Sequence, residues 1–253
     1  MVPGGRRVGG GHGGGVRRHR GRIVPVLAAV LAVGTGYVVA AGAASSTISA
    51  VGTLASKSGT GTATLSVTPQ HTGDLLALAV KVTSSTITAS SVSGGGVGTW
   101  ARAEGPYTGY PGYDLELWTG TVSTTGSSTL TVTYSGSVTS ISTGLAAEEF
   151  SSSSGSATTW GIDTGGGTTN GSSTTVSLPK LTPTGTGELY FGYAAVANTG
   201  SAGSSAGFTY AITGDADVAA YDTNVTAAVT PTATQSPAGV AGALAVLITA
   251  SGS

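Results

Sequence analysis

The chain has no cysteine in its 253 residues. Disulfides, thiolate zinc sites, iron–sulfur clusters and cysteine nucleophiles are therefore excluded together. Charge is nearly as scarce: Asp, Glu, Lys and Arg make up 8% of the residues, against about 25% in an ordinary soluble protein. That argues against a typical cytosolic enzyme, a coiled coil or a charged disordered segment. Methionine occurs only at the start, and His71 is the one histidine beyond residue 23. In their place stand 43 glycines and a 39% hydrophobic fraction dominated by small and β-branched residues, enough for a real core at this length.

The net charge of −1 conceals two opposed segments. Arg6, Arg7, Arg17, Arg18, Arg20 and Arg22 precede residue 23, which leaves four basic against eleven acidic residues beyond it, a net −7. From Ile23 to Ala43 the sequence is apolar and uncharged. A basic leader, an apolar stretch and the small residues Ala41-Gly42-Ala43 follow the order of a secretory signal, with cleavage expected after Ala43. The stretch is also long enough to remain as an N-terminal anchor. By either route residues 44–253 are expected outside the cytoplasm, secreted or at the cell surface, because the arginines hold the N-terminus inside. A membrane is then met only through an uncleaved N-terminal segment. Nucleic acid is not an expected partner, since the acidic body has no basic stripe to neutralise phosphates.

After Ser45 the pattern changes to period two. Ala63-Thr64-Leu65-Ser66-Val67-Thr68, Leu76 to Val82 and Thr129 to Tyr134 alternate in the manner of half-buried strands. Clusters of Gly, Ser, Asn and Pro separate such runs, at Ser93–Gly96, Ser151–Gly155, Gly165–Ser173 and Gly200–Gly207, and read as turns and loops. Roughly a dozen strands and no segment of helical period are expected. A threonine-covered sheet needs little charge, because threonine joins a β-branched backbone preference to a hydroxyl for water.

The halves of the body resemble one another. Asp74-Leu75-Leu76 after Gly73 recurs as Glu188-Leu189-Tyr190 after Gly187, and Trp100 near Gly98 matches Phe208 after Gly207. Leu117-Trp118 then aligns with Ala220-Tyr221, and Leu145-Ala146-Ala147 with Leu244-Ala245-Val246. The expected fold is all-β: a two-sheet antiparallel sandwich over 44–253, jelly-roll-like, with related Greek-key halves at about 46–155 and 174–250. Two separate Ig-like domains compete, but no Pro-rich or charged linker divides the halves.

These residues also carry a resemblance. GDLLALAVKV, GGGVGTW, DLELW, LAAEEFSSSSG, GELYFGYAAVA, AGFTY and GALAVLITA, in that order, resemble a family of secreted bacterial β-sandwich domains of jelly-roll, concanavalin-like kind. That family recurs in surface- and phage-tail-associated proteins. The resemblance implies fold and location over about residues 46–250 and brings no catalytic residues with it.

Catalytic constellations are few. A Ser-His-Asp triad would have to use His71, and no Gly-x-Ser-x-Gly elbow is present. Paired carboxylates are the better enzyme hypothesis. Asp114 and Glu116 lie at i and i+2 of a strand and share a face. Glu148 and Glu149 are adjacent and point to opposite faces, with Leu247 and Ile248 as their counterparts in the second half. A glycosidase would need two such groups about 5–10 Å apart across a cleft. Asp215 and Asp217, with Asp222 and Asn224 further on, are the carboxylates that a structural calcium would use, although aspartate-rich turns also form without metal.

Aromatic residues offer the remaining clue. Tyr107, Tyr110 and Tyr113 recur every three residues in a Gly/Pro segment, and Trp160 lies in a polar stretch. Exposed rings of this kind stack on sugars or anchor an interface; alternatively the tyrosines close the end of the sandwich against Trp100 or Trp118. The expectation is an exported, non-catalytic sandwich for surface recognition or adhesion, binding polysaccharide or a cell-surface glycan. A purely structural surface or appendage component is the alternative, and a glycan-active hydrolase is the third reading.

Overall fold

A computed structural model of the chain describes residues 46–252; the signal or anchor expected over 1–43 lies outside the described residues. Alternation of Val, Leu, Ala and Thr produces fourteen strands and no α-helix among the described residues. Accordingly, no helix there is long and apolar enough to cross a membrane. The first half contributes β1 (Ile48–Thr60), β2 (Thr64–Val67), β3 (Leu75–Val82), β4 (Ala89–Gly94), β5 (Val97–Tyr107), β6 (Asp114–Val122), β7 (Ser128–Tyr134) and β8 (Ser142–Ser152). A 3₁₀ turn at Gly155–Ala157 leads to the second half: β9 (Thr158–Ser177), β10 (Glu188–Val196), β11 (Thr199–Ser201), β12 (Thr209–Ile212), β13 (Val218–Val225) and β14 (Thr232–Gly252).

The strands form an all-β sandwich of three antiparallel sheets. One has the order β1-β8-β3-β6-β5, a second the order β11-β14-β10-β13-β12 with β9 also on β14, and a small third the order β2-β7-β4. The two large sheets pack face to face through Leu75, Leu115, Leu117 and Phe150 on one side and Leu189, Phe191, Leu244 and Val246 on the other. The small sheet covers the outer face of the first large one, burying Leu65, Leu130 and Val132 against Leu76, Leu78, Trp100 and Trp118. On the far side of the second large sheet, Val176, Leu178 and Leu181 close over Tyr190, Ala245 and Leu247. Both large sheets are thus covered on both faces. Their central strands β3 and β10 are buried along their whole length, which explains apolar runs denser than strict alternation.

The internal resemblance is visible in the pairing. The order β1-β8-β3-β6-β5 is repeated by β9-β14-β10-β13-β12. Register sharpens the alignment: Leu75 faces Phe150 on β8 as Leu189 faces Ile248 on β14. Glu148 therefore matches Val246 and Glu149 matches Leu247, one residue away from the sequence alignment. By the same register Leu117 matches Ala219 rather than Ala220. The correction matters because a slip of one residue exchanges the two faces of a strand.

Gly165–Ser173, read as a loop, lies inside β9. Its glycines are there for close approach: a Cβ on Gly167 would lie 2.3 Å from the Tyr107 ring, and one on Gly165 would collide with the Glu104 carboxylate. The missing side chains let β5 lay its own across β9.

Candidate functional site

The tyrosine segment joins the two halves. Tyr110 is only 3% exposed and belongs to the core between the large sheets. Its ring stacks on Tyr113 with centroids 4.4 Å apart, and burial, followed by the neighbouring Tyr113, pushes its hydroxyl up to about 12. Tyr107 is half-buried and its Oη lies 2.7 Å from Thr169 Oγ1 on β9. Tyr110 therefore has no free face for a sugar, a correction that follows from the gap left by Gly242, where a Cβ would fall 2.3 Å from that of Tyr110. Trp160 sits on β9 rather than in a loop, half-buried against the same core, and donates from Nε1 to the Gly73 carbonyl at 2.8 Å. Trp100 and Trp118 are buried in the core beneath the small sheet.

Asp114 and Glu116 do share one face of β6, and both are buried. Glu116 is fully engaged: it accepts from the Ala89 N–H at 2.6 Å, Arg102 Nε at 2.7 Å and Trp118 Nε1 at 2.9 Å. Arg102 also stacks over the Trp118 ring, 4.9 Å from its centroid. Asp114 has no such support, and both of its oxygens are buried without a hydrogen-bond partner. Burial and then the adjacent Glu116 carboxyl push it up to about 8, so it is neutral at neutral pH.

Glu148 and Glu149 point to opposite faces of β8, and both are buried. Glu148 faces the packed interior between the large sheets, where burial and then the Glu149 charge push it up to about 7. Glu149 lies on the other face, accepting from the Gln70 N–H at 2.9 and 3.0 Å and from the His71 N–H at 3.3 Å. Next to it, Asp74 Oδ2 lies 3.2 Å from His71 Nδ1, and burial pushes Asp74 up to about 6. Donor atoms of His71, Asp74 and Glu149 fall within 4.8 Å of one another. Sequence reasoning treated these three separately, because the Gln70-His71-Thr72 turn and β8 meet only in the fold.

The aspartates expected to bind calcium are arranged differently. Asp215 and Asp217 both pair with Lys81 Nζ, so the cation between them is an ammonium supplied by β3. Burial works against the charge of Lys81, but Asp217 and Asp215 outweigh it and raise its pKa. Asp222 does not join them; its Oδ1 accepts the Asn224 N–H at 2.9 Å. Among the described residues, the side chains of metal-binding type that converge are His71, Asp74 and Glu149 instead. Lys81 was missed as a functional residue although its signal was legible. It shares parity with Leu75, Ala77 and Ala79 on β3, and an ammonium placed on a core face must find anions.

Beside Glu149 an open cleft of ≈ 290 Å³ runs between β1 and the end of β2. Its floor is the buried apolar surface of Val67, Leu76 and Ala147, and its rim carries the exposed side chains of Thr53, Ser66, Thr68 and Gln70. The β1 side of the cleft is the bulge between Val51 and Ala55, where regular pairing with β8 is interrupted. In the second half, the positions of Leu76 and Glu149 are taken by Tyr190 and Leu247, and Leu178 and Leu181 pack over them. The equivalent space is filled.

No family model, curated protein or solved structure matches the chain.

Proposed function

We propose that this is an exported, non-catalytic β-sandwich protein that recognises a polysaccharide or cell-surface glycan. The observation that carries the reading is the first-half cleft, with an apolar floor, a hydroxyl- and amide-bearing rim and one buried carboxylate. A sugar presents an apolar C–H face ringed by hydroxyls, so floor and rim suit it better than they suit an anion or a hydrocarbon. The carboxylates favour binding over hydrolysis. Glu116 and Glu149 are held by internal donors, and the unpartnered Asp114 and Glu148 are buried in packed cores away from the cleft lining. The resemblance to secreted bacterial β-sandwich domains supports the same setting.

The test is retention of the full chain on a panel of insoluble polysaccharides and cell walls. Ser66→Trp, which fills the cleft from its exposed rim, is expected to lose retention while thermal unfolding stays unchanged. Ser91→Trp, on an exposed position of β4, is expected to retain it. A parent chain that binds no glycan, or a Ser66→Trp variant that binds as well as the parent, removes the reading. Release of soluble sugar that disappears in Glu149→Gln would replace it with the hydrolase.

A further inference from the structure

The ion cluster that crosses between the two large sheets has a composition that an ordinary salt bridge does not require. Lys81 comes from β3 of the first half, and Asp215 and Asp217 come from the turn that enters β13 of the second. The Lys81 side chain is 8% exposed and that of Asp217 0%. Asp217 Oδ2 accepts from Lys81 and from Tyr193 Oη at 2.7 Å, and its Oδ1 accepts the Val196 N–H at 2.9 Å. Asp215 Oδ1 is held by Thr213 Oγ1 at 2.7 Å, which leaves Oδ2 turned to the lysine. Gly144, the register partner of Lys81 on β8, makes the room: a Cβ there would lie 3.1 Å from Asp215 Oδ2 and 3.4 Å from Lys81 Cε. An amine, a fully buried carboxyl group with donors on both oxygens and a second, partly exposed carboxylate beside the amine are thus held together.

We propose that Lys81 and Asp217 condense to a side-chain amide that covalently joins the two halves of the sandwich. The reaction needs no outside reagent. Lys81 first passes a proton to Oδ2 of Asp217, which turns a buried ion pair into a neutral amine and a carboxylic acid. The Nζ–Cγ bond then forms, and the negative charge gathers on Oδ1, where the Val196 N–H already points. Asp215 takes the proton released by the attacking nitrogen and delivers it to the departing Oδ2, with the Tyr193 hydroxyl bonded to the same oxygen. The Cγ–Oδ2 bond breaks and one water leaves. In balance, an ammonium and a carboxylate become an amide and water, and Asp215 returns to its starting state.

Asp217 is the electrophile of the pair because each of its oxygens has a donor besides the lysine, Tyr193 on Oδ2 and Val196 on Oδ1, and it is wholly buried. Asp215 keeps partial exposure, and Lys81, after opposing burial, holds its carboxyl below the usual carboxylate range, which suits a proton carrier. The bond would give a cysteine-free exported protein the covalent brace that disulfides supply elsewhere, closing a span of 136 residues.

Intact mass decides the matter independently of any glycan. The purified full chain, with its N-terminus established by sequencing, is expected to weigh one water less than its sequence when denatured. Trypsin should then give residues 58–102 linked to 181–253, with no cleavage after Lys81. Fragmentation should place the link at Asp217. Lys81→Arg keeps the charge but cannot form the amide, and is expected at full sequence mass; Asp215→Ala is expected to leave most molecules unlinked. A folded parent at full sequence mass, with residues 58–81 released by trypsin, overturns the proposal. So does a link that maps to Asp215.

Discussion

The two halves share one topology, yet they finish their strands differently. In the second half β9 and β14 run 20 and 21 residues, each beginning or ending in the large sheet and continuing into the segment that covers it. Residues 175–177 pair with 232–234, and 199–201 pair with 234–236, which repeats the β2-β7-β4 arrangement. In the first half the same paths are cut: β1 is separated from β2 at residues 61–63, and β7 from β8 at residues 135–141. Cutting them releases the small sheet as a separate layer, and a cleft lies beside the bulge in β1. The continuous version packs Tyr190, Leu247, Leu178 and Leu181 together in the corresponding region. One fold unit, used twice, has thus been closed in one copy and left open in the other. The polar groups follow the opening, with Glu149 at the cleft where its counterpart Leu247 is enclosed.

The largest expected effect comes from exchanging that pair. Leu247→Glu would place a carboxylate at a position with no solvent exposure, packed among apolar residues such as Leu178, Leu181 and Val176. It should destabilise the fold by on the order of 4 kcal/mol in urea unfolding. The reciprocal Glu149→Leu removes the acceptor from the Gln70 and His71 amides. Both amides belong to exposed residues and their bonds are only partly buried, so water can replace part of what is lost and the cost should be about 1 kcal/mol, the smaller of the two. If Leu247→Glu were tolerated as easily as Glu149→Leu, the distinction between an open and a closed half would not stand.

Much of this was legible in the residues. The period-two runs and the glycine clusters give the sandwich, and the order of matched features anticipated the repeated sheet order. What the residues do not carry is parity across an insertion. The alignment of β8 with β14 slipped by one, because Ala and Leu occur on both faces of a strand buried on both sides and alternation no longer marks the inside. The three glycines from Gly165 read as a loop, since glycine signals a turn unless a side chain from a distant strand, here Tyr107 or Glu104, needs the space. The three tyrosines pose the same problem at Tyr110. Glycine and proline around them spoke for an exposed loop, but Tyr110 is covered by β14, about 130 residues further on and invisible to local pattern. Lys81 and the carboxylates were the reverse case. Their positions on the strands were correctly placed, while their partners came from segments that meet only in the fold.

The smallest effect, counted per group and per pH unit, separates the halves by pH. Asp114 and Glu148 both belong to the first half, and their ordinary values of 3.8 and 4.5 are pushed up to about 8 and about 7. Between the ordinary and the raised value, the folded chain holds a proton that the unfolded chain has lost. Stability is therefore greatest at the acid end of that window and falls as pH rises through it, by on the order of 1 kcal/mol per pH unit for each group. In molecules where Lys81 and Asp217 stay unlinked, Asp217, raised to about 6 by burial against the pull of Lys81, adds the same sign over a narrower window. Its neighbour Asp215 is lowered instead, so its contribution is lost only as pH drops through and below the ordinary aspartate range. Urea midpoints measured between about pH 5 and about pH 8 should decline, and Asp114→Asn should flatten that decline across the range. Glu148→Gln should flatten it only up to about 7. The slope is the informative quantity, because each amide also changes packing and hydrogen bonding by an amount that does not vary with pH. Equal slopes in parent and variants would mean that both carboxyls find charge partners in the folded chain, and the first half would then be no more sensitive to pH than the second.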